Sequence, residues 1–318
     1  MTLSLETFMR ANRLLRTLQI AFLAVALAAA SAAETVPSNQ PVGTVEPPLD
    51  ATGAAGGSAE TEPTEEFSDT LSGEEIYDRV LSNRFDSFDQ SLEMTSGNRG
   101  GNTAIVEVDV KYKDFRPQKK KYLSKSIALY KAPPDVRYMG YLIINQRSGR
   151  NDQFVYLPSA RRVRRVNLRG ESVAGTDFSL EDIIPRELED ANYIRLPDET
   201  WEGREAYVVE VRPMEDANSE YSKFVAYVDK LSFVTLLARY WDRKGILFKE
   251  LVSVVDSITR YDGIEKAGVE SKSVWIAKES KVTNTRLESF TTLKITRLVA
   301  NPKLGAKDFT ERKLAQGR

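Results

Sequence analysis

Four arginines grouped around one valine are the residues whose type and spacing most directly suggest chemistry. They form the run Arg161-Arg162-Val163-Arg164-Arg165. Side chains alternate between the two faces of a β-strand, so Arg162 and Arg164 should share one face with Ala160 and Val166, with Arg161 and Arg165 on the other. Guanidinium groups bind phosphate and carboxylate in bidentate fashion. We predict that Arg162 and Arg164 border a cavity mouth and bind an anionic group; the alternative is a surface strand with weak carboxylate contacts.

This chain lacks several of the residue types that enzymes most often use for catalysis. Histidine and cysteine are both absent, which excludes His-based general bases, Cys nucleophiles and nearly all zinc sites. Two carboxylate pairs, Glu181 with Asp182 and Glu187 with Glu189, could serve a glycosidase-like or calcium site; ordinary helix-start and surface charge is the alternative. No calcium-loop spacing, phosphate-binding loop or dinucleotide fingerprint occurs. The sequence therefore predicts no enzyme, no cofactor and no metal.

The arginine run is predicted to be the second strand of a pair. The first strand carries aromatic side chains, among them Tyr156, and the turn follows at Leu157-Pro158. Farther along, Ser179 is predicted to cap a short helix that has Asp182 in its first turn. Pro185 limits how far that helix can continue.

The stretch from Tyr156 to Ile183, YLPSARRVRRVNLRGESVAGTDFSLEDI, resembles the signature of the periplasmic outer-membrane lipoprotein-sorting proteins, relatives of the LolA and LolB lipoprotein carriers. In that family a YLP and RRVRR strand pair is followed by a GTDF or GSDF motif and an acidic helix start. The motif residues here are Arg161, Arg165, Gly175, Thr176 and Asp177. A second, weaker resemblance is the hairpin RYWDRKGILFKEL, from Arg239 to Leu251.

This resemblance implies a fold and a ligand class. LolA-like proteins are unclosed β-barrels wrapped around helices, and the hollow between sheet and helices holds acyl chains. Tyr156, Phe178 and Trp241 flank the arginine strand and the two family-like turns, so we expect them, together with Arg162 and Arg164, to contact the ligand. An ordinary core position is the alternative for each aromatic residue.

The amino terminus predicts export. Arg10, Arg13 and Arg16 precede the uncharged run from Ile20 to Ala30, and Ser31-Ala32-Ala33 follows. This is the pattern of a secretory signal peptide over residues 1–33, cleaved near Ala32 or Ala33. The apolar run is well short of the roughly 20 residues that a membrane-spanning helix needs. We expect a periplasmic protein without a stable transmembrane segment after cleavage.

Charge is distributed unevenly along the remaining chain. Residues 34–70 are predicted to form a disordered acidic linker, because their Pro, Gly, Ala, Ser, Thr and Glu cannot bury enough apolar surface. Residues 34–75 contain ten acidic and no basic residues, whereas residues 76–318 contain 42 basic and 35 acidic ones. A basic folded part could meet anionic lipid headgroups, an acidic protein or nucleic acid, and export argues against nucleic acid. A solubilising surface is the alternative.

Residues 71–318 are predicted to form one mainly β (α+β) domain. A capping box at Ser72 and Glu75 predicts a helix through about Arg84, and a second helix is expected near residues 179–188. Strands follow one another with period-2 alternation and short turns, as in residues 103–115. This pattern predicts a strongly curved antiparallel sheet of about ten or eleven strands. The resemblance implies that the sheet is an unclosed β-barrel with a few helices covering a hydrophobic cavity.

The predicted function is a non-enzymatic periplasmic carrier that binds the acyl chains of a lipid or lipoprotein and transfers them towards the outer membrane. The resemblance suggests a membrane transporter of the RND type as donor or acceptor. One alternative is a non-carrier envelope scaffold whose basic face docks a protein partner and whose core is filled. Another is an acid-only hydrolase, which requires two carboxylates converging in a cleft.

Overall fold

The computed structural model describes residues 70–167, 172–173, 175–183, 186–215, 217, 219–266 and 269–317. The predicted signal peptide, the linker apart from Thr70, and Pro185 lie outside these residues. Among the residues that are described, no helix combines the length and the apolar character needed to cross a membrane.

The first helix, α1, spans Gly73–Ser82 and begins as its sequence predicts. The Ser72 backbone N–H donates to Glu75 Oε2 at 2.8 Å, and the Glu75 N–H donates to Ser72 Oγ at 3.2 Å. These two bonds form the predicted capping box, which satisfies two N–H groups that the helix itself leaves free. Ile76 is fully buried under the helix. The helix therefore has a fixed start and an apolar face.

The described residues contain fifteen β-strands and two further α-helices. Thirteen strands form one antiparallel sheet in the order β6-β5-β4-β3-β2-β1-β15-β14-β11-β10-β9-β8-β7, and β12 pairs with β13 in a separate hairpin. The sheet is curved and not closed, with β6 and β7 at its edges. The strands are β1 Ser87–Asn98, β2 Thr103–Asp114, β3 Tyr122–Ala132, β4 Gly140–Gln146, β5 Asp152–Leu157, β6 Arg162–Val166, β7 Ala191–Trp201, β8 Arg204–Pro213, β9 Tyr221–Asp229, β10 Thr235–Asp242, β11 Leu247–Ser253, β12 Ile258–Lys266, β13 Val269–Ala277, β14 Glu279–Asn284 and β15 Ser289–Ala300; the helices are α2 Leu180–Ile183 and α3 Glu311–Gln316.

The predicted fold class, a strongly curved and unclosed antiparallel sheet with a few helices, is confirmed, but the strand number is higher than the ten or eleven expected. Strand β1, with the sequence SFDQSLEMTSGN, mixes polar and apolar residues without clear alternation. Strand β12 was also missed. Two further strands, β13 and β14, follow each other with only Lys278 between them, so no turn residues mark their separation in the sequence.

One face of the large sheet, here called the inner face, is covered by α1 and by residues 172–183. Tyr77 of α1 lies 6.0 Å from the Phe224 ring, centroid to centroid, and belongs to the apolar cluster on β7 to β10. Phe178 packs with residues of β1 to β4 and β14. The strand register shows that the Tyr77 cluster and the Phe178 cluster lie on the same face of the sheet. Leu251 of β11 pairs with Val282 of β14 and with Ala238 of β10, and Ala238 shares its face with Tyr240. The inner face is thus continuous across the sheet.

The opposite, outer face has its own cover. Phe309 and Leu314, the latter in α3, are buried against Phe115, Ile127 and Leu142. At the other half of the sheet, side chains of β8 to β10 pack against Val255 and against Ile258, the first residue of β12. Leu236 and Leu237 belong to the same cluster. Both faces of the sheet therefore bury apolar surface, which is why several strands carry consecutive apolar residues.

Candidate functional site

Charged side chains are buried between α1, α2 and the inner face. We call Glu181, Asp182, Arg186, Tyr221 and Lys249 the buried polar cluster. Glu181 and Asp182 come from α2, Tyr221 from the start of β9 and Lys249 from the middle of β11. Burial of charge is costly unless every group finds a partner, so the partners of these residues define what the cluster can do.

Asp182 is the centre of the cluster. Its carboxylate accepts from Lys249 Nζ at 2.8 Å, from the Tyr221 hydroxyl at 2.6 Å and from the Ser179 backbone N–H at 2.7 Å. The Lys249 and Asp182 side chains are only 3% and 6% exposed. The Lys249 ammonium also lies 4.8 Å from the centroid of the Tyr221 ring and 5.4 Å from that of Tyr240, distances typical of a cation–π contact.

Burial raises the pKa of the Tyr221 hydroxyl, and the adjacent Asp182 carboxylate raises this pKa further. Tyr240 behaves in the same way, since burial and then Asp182 hold its pKa well above the ordinary value. Both phenols therefore stay neutral at physiological pH. Tyr221 acts as a permanent hydrogen-bond donor to Asp182, which leaves the carboxylate engaged rather than available as a base.

Glu181 makes a second set of contacts, separate from those of Asp182. Arg186 Nη2 donates to Glu181 Oε1 at 2.7 Å, the Glu220 N–H donates to Glu181 Oε2 at 2.8 Å, and the Ser219 hydroxyl also donates to this carboxylate. Arg243 Nε in turn donates to the Ser219 carbonyl oxygen at 2.8 Å. Glu181 thereby connects α2 to the segment that leads into β9.

A cavity of about 190 Å³ lies beside the buried polar cluster. It is smaller than the roughly 300–1,000 Å³ of a usual small-molecule pocket, so an acyl chain needs more room than this conformation offers. A larger depression of about 690 Å³ at the β7 edge is shallow and lined by Arg195, Leu196, Pro197, Asp198 and Lys230, and its three charged groups do not suit hydrocarbon. The smaller cavity is lined by Tyr77, Leu81, Glu181, Asp182, Arg186, Phe224 and Tyr240.

The predicted carboxylate pairs are occupied by other groups. Glu181 and Asp182 bind different partners, as described above, and do not form the two-carboxylate arrangement of a hydrolase. Glu187 binds Arg116, whose Nε lies 3.0 Å from Glu187 Oε2, while Glu189 is exposed. Within the described part of the chain, no group of three or more acidic side chains is placed to hold a metal ion.

The GTDF motif anchors the covering segment to the sheet. The hydroxyls of Ser289 and Thr291 in β15 donate to the two oxygens of Asp177, at 2.5 and 2.9 Å, and the Asp177 N–H donates to Thr291 Oγ1 at 2.9 Å. Gly175 has φ +76°, in the left-handed region that favours glycine. The Thr176 hydroxyl donates to the Val173 carbonyl oxygen at 2.7 Å. These contacts hold Phe178 in the core.

The predicted arginine pair lies at the edge of the sheet. Arg162 and Arg164 pair with Leu157 and Val155 of β5, and Val155 pairs with Tyr141 of the inner-face cluster, so both arginines are on the inner-face side. Both are exposed, and no described side chain forms an ion pair with either. Arg165 pairs with Asp152.

The five predicted ligand-binding residues do not meet in one place. Phe178 is buried on the inner face, whereas Tyr156 packs on the outer face among the residues near α3. Trp241 also lies on the outer face, with the Lys223 ammonium 4.9 Å from its ring centroid. Arg161 occupies the turn before β6 with φ +47°.

Sequence reasoning missed Lys249, Tyr221, Arg186 and Ser219. One signal was available for Lys249, because it stands between Leu247 and Leu251 in an alternating strand pattern. A lysine at an otherwise apolar strand position suggests a buried cation with a partner. The identity of that partner, Asp182, depends on a contact 67 residues away in sequence and carries no local signal.

Comparison with known proteins gives the family. A family model described as an uncharacterized protein matches residues 123–316, and no curated protein sequence matches the chain. A solved domain from Vibrio parahaemolyticus, described as an outer membrane lipoprotein-sorting protein, is 25% identical, with a TM-score of 0.66 over 76% of this chain and 98% of that one.

Two further solved structures share the fold. A DUF1329 family protein from Desulfovibrio piger is 24% identical, with a TM-score of 0.66 over 77% of this chain and all of that one. A LolA superfamily protein from Nitrosomonas europaea is 18% identical, with a TM-score of 0.57 over 77% of this chain and all of that one. The chain therefore belongs to the family that the matching model describes, and it has the LolA-like fold of the outer-membrane lipoprotein-sorting proteins, as the Tyr156 to Ile183 signature predicts.

Proposed function

We propose that this chain is a non-enzymatic periplasmic carrier that holds acyl chains of a lipid or lipoprotein against the inner face and transfers them towards the outer membrane. The observation that carries the proposal is the inner face, whose two apolar clusters flank the buried polar cluster and are covered by α1 and residues 172–183. Residues 172–183 are attached to the sheet by hydrogen bonds at Asp177, by an ion pair at Asp182 and by packing. A cover of this kind can be displaced by a ligand that replaces its apolar contacts.

The energetics of such a carrier follow from burial. Each methylene group that leaves water contributes about 0.8 kcal/mol, so an acyl chain can offset the loss of apolar contacts that Tyr77 and Phe178 make in the ligand-free protein. The small cavity beside Tyr240 lies between the covering elements and the sheet. Because hydrocarbon burial is the driving force, release requires an acceptor that buries the chains equally well.

Arg162 and Arg164 are proposed to contact the anionic headgroup of the ligand at the rim. Their exposure and their lack of a carboxylate partner among the described residues leave both guanidinium groups free to bind phosphate. The double substitution Arg162→Glu with Arg164→Glu is expected to weaken loading of an anionic lipid several-fold without unfolding the protein. Titration with a fluorescent anionic lipid measures this, and the neutral analogue is the control. Equal loading by a folded variant would rule out the headgroup role.

A donor or acceptor of the RND transporter type is proposed from the family resemblance alone. Its test is co-purification from crosslinked envelopes. Recovery of other envelope partners without any such transporter would rule out the RND partner. The carrier proposal would still stand.

The small size of the cavity favours one other candidate, a non-carrier envelope scaffold with a filled core. Native mass spectrometry of the protein purified from its own envelope, with organic extraction, separates the two. A carrier is expected to retain about one lipid per chain, displaceable by an added amphiphile. A ligand-free mass, together with no uptake of a fluorescent fatty acid, would support the scaffold instead.

A cavity-filling substitution tests the location of the ligand. Leu81 of α1 lines the cavity and is partly buried, so Leu81→Trp is expected to occupy the space that an entering acyl chain needs. We expect fatty-acid uptake to fall at least tenfold, corresponding to about 1.4 kcal/mol. Val299→Trp is the matched control, since Val299 is 42% exposed on β15. Uptake that is reduced equally by both substitutions would place the ligand elsewhere.

A further inference from the structure

Five basic side chains project from two neighbouring turns of the sheet. Lys119, Lys120 and Lys121 precede β3, and Arg147 and Arg150 lie between β4 and β5. We call these five residues the basic turn patch. All five are exposed, and none of them belongs to the signature from Tyr156 to Ile183.

The fold holds the two turns against each other. The Arg147 backbone N–H donates to the Lys121 carbonyl oxygen at 3.0 Å, and Arg147 Nε donates to the Lys120 carbonyl oxygen at 3.1 Å. Lys119 has φ +49°, a left-handed conformation that is uncommon for a residue with a side chain. The like charges are thus kept side by side by the backbone rather than spread apart.

No acidic residue neutralises the patch within the described chain. Asp135 is the only acidic residue between positions 115 and 151, and it lies in the β3–β4 turn at the other end of these strands. The flanking acids are already engaged, because Asp114 pairs with Arg116 at 3.1 Å and Asp152 pairs with Arg165. Among the described residues, no acidic side chain forms an ion pair with any of the five, so the patch carries five positive charges without a described counter-charge.

A local effect of this charge is visible at the next lysine. Burial lowers the pKa of Lys125, and the positive charge of Lys121 lowers it further. The Lys125 ammonium lies 4.1 Å from the ring centroid of Tyr122, so this aromatic face is covered. The patch offers cationic groups to a ligand, and its neighbouring aromatic ring is not free to stack on a base.

We propose that the basic turn patch docks the protein on the anionic phosphate surface of a lipid bilayer. The five side chains are exposed on turn tips, which suits an extended sheet of phosphate groups. Each Lys or Arg close to an anionic bilayer strengthens binding by roughly fivefold, so five of them strengthen it by roughly three-thousandfold at low ionic strength. The covered Tyr122 ring argues against single-stranded nucleic acid, whose bases stack on free aromatic faces.

The proposal goes beyond acyl-chain carriage and is independent of it. A carrier needs to approach a membrane, but a scaffold with a filled core could dock in the same way. Vesicle binding is therefore measured separately from fatty-acid uptake, with the full mature chain. A protein that takes up fatty acid but does not bind vesicles contradicts the docking proposal. A protein that binds vesicles but takes up no fatty acid contradicts the carrier proposal.

The test is co-sedimentation with phosphatidylcholine vesicles that either contain or lack phosphatidylglycerol. We expect binding only to the vesicles with phosphatidylglycerol. This binding should be lost at about 1 M salt, where the Debye screening length falls to roughly 3 Å. The substitutions Lys119→Gln, Lys120→Gln and Lys121→Gln together are expected to weaken binding by about 100-fold. Unchanged thermal unfolding of the variant shows that its fold is intact.

A matched control removes the same charge elsewhere. Lys307, Arg312 and Lys313 are exposed and alternate with Asp308 and Glu311, so changing all three to Gln should alter vesicle binding only a few-fold. Equal weakening by both triple variants would show that only net charge matters and overturn the proposal. Absence of binding to anionic vesicles at low salt, or tighter salt-sensitive binding to polyglutamate or oligothymidylate, would overturn it as well.

Discussion

Replacing Lys249 with methionine is expected to lower the free energy of unfolding by about 3–5 kcal/mol. The substitution conserves most of the side-chain volume but leaves the Asp182 carboxylate, 6% exposed, without its counter-charge. Urea unfolding followed by circular dichroism measures the change. Lys294→Met is the matched control: Lys294 forms an ion pair of the same length, 2.8 Å, with Glu279, but it is 56% exposed. Its loss should cost less than about 1 kcal/mol.

A double-mutant cycle separates the ion pair from its surroundings. Asp182→Asn alone leaves the Lys249 ammonium buried and unpaired, and should be nearly as destabilising as Lys249→Met. The double variant, Lys249→Met with Asp182→Asn, has no buried charge at this position, and an amide at residue 182 can still bond to Tyr221 and to the Ser179 N–H. We expect the double variant to be more stable than either single variant, with a coupling energy of about 2–3 kcal/mol.

The opposite result has a clear meaning. If the two single losses simply add, Lys249 and Asp182 do not depend on each other, and water must reach the cluster in solution. The covering segment would then be open for much of the time, and the small cavity would be one state among several. Additive losses would therefore refute the buried ion pair as an anchor of α2.

Local features of the fold were predictable from sequence, and contacts between distant segments were not. The capping box of Ser72 and Glu75 depends on residues three apart, and it forms as predicted. The pairing of β1 with β15 joins Phe88 to Ala300, and nothing in the polar sequence of β1 specifies that partner. The same limit applies to the site, where a lone lysine in a strand could be noticed but Asp182 could not be assigned to it.

The arginines of β6 show how one pattern supports two interpretations. Period-2 alternation correctly groups Arg162 with Arg164 on one side of the strand, since they pair with Leu157 and Val155. The sequence could not show that β6 is an edge strand. Charged side chains on an edge strand also prevent pairing with another chain, so protection of the edge explains the arginines without a ligand. Only the loading experiment with the Glu substitutions distinguishes this role from headgroup binding.

Asp177→Ala is expected to lower the free energy of unfolding by at least about 3 kcal/mol, because its carboxylate accepts two hydrogen bonds and each bond to a charged acceptor contributes about 1.5–3 kcal/mol. The substitution deprives the hydroxyls of Ser289 and Thr291 of their acceptor. Thr291 is fully buried, so its hydroxyl is also cut off from water. Asp135→Ala is the control, since Asp135 is exposed in a turn and its loss should change stability by less than about 0.5 kcal/mol.

Hydrogen exchange shows where the Asp177→Ala protein loosens. If Asp177 anchors the cover, exchange should accelerate at the N–H groups of Val173 and Asp177, which bond to the Phe178 carbonyl oxygen and to Thr291 Oγ1. Amides of β8 and β9, beneath α1, should accelerate only by the factor that the lower global stability imposes, and less than those of the cover. Uniform acceleration across the sheet would mean that Asp177 stabilises the whole fold. Acceleration confined to residues 172–183 would mean that this segment can open separately from the sheet, which is the motion that loading of the inner face requires.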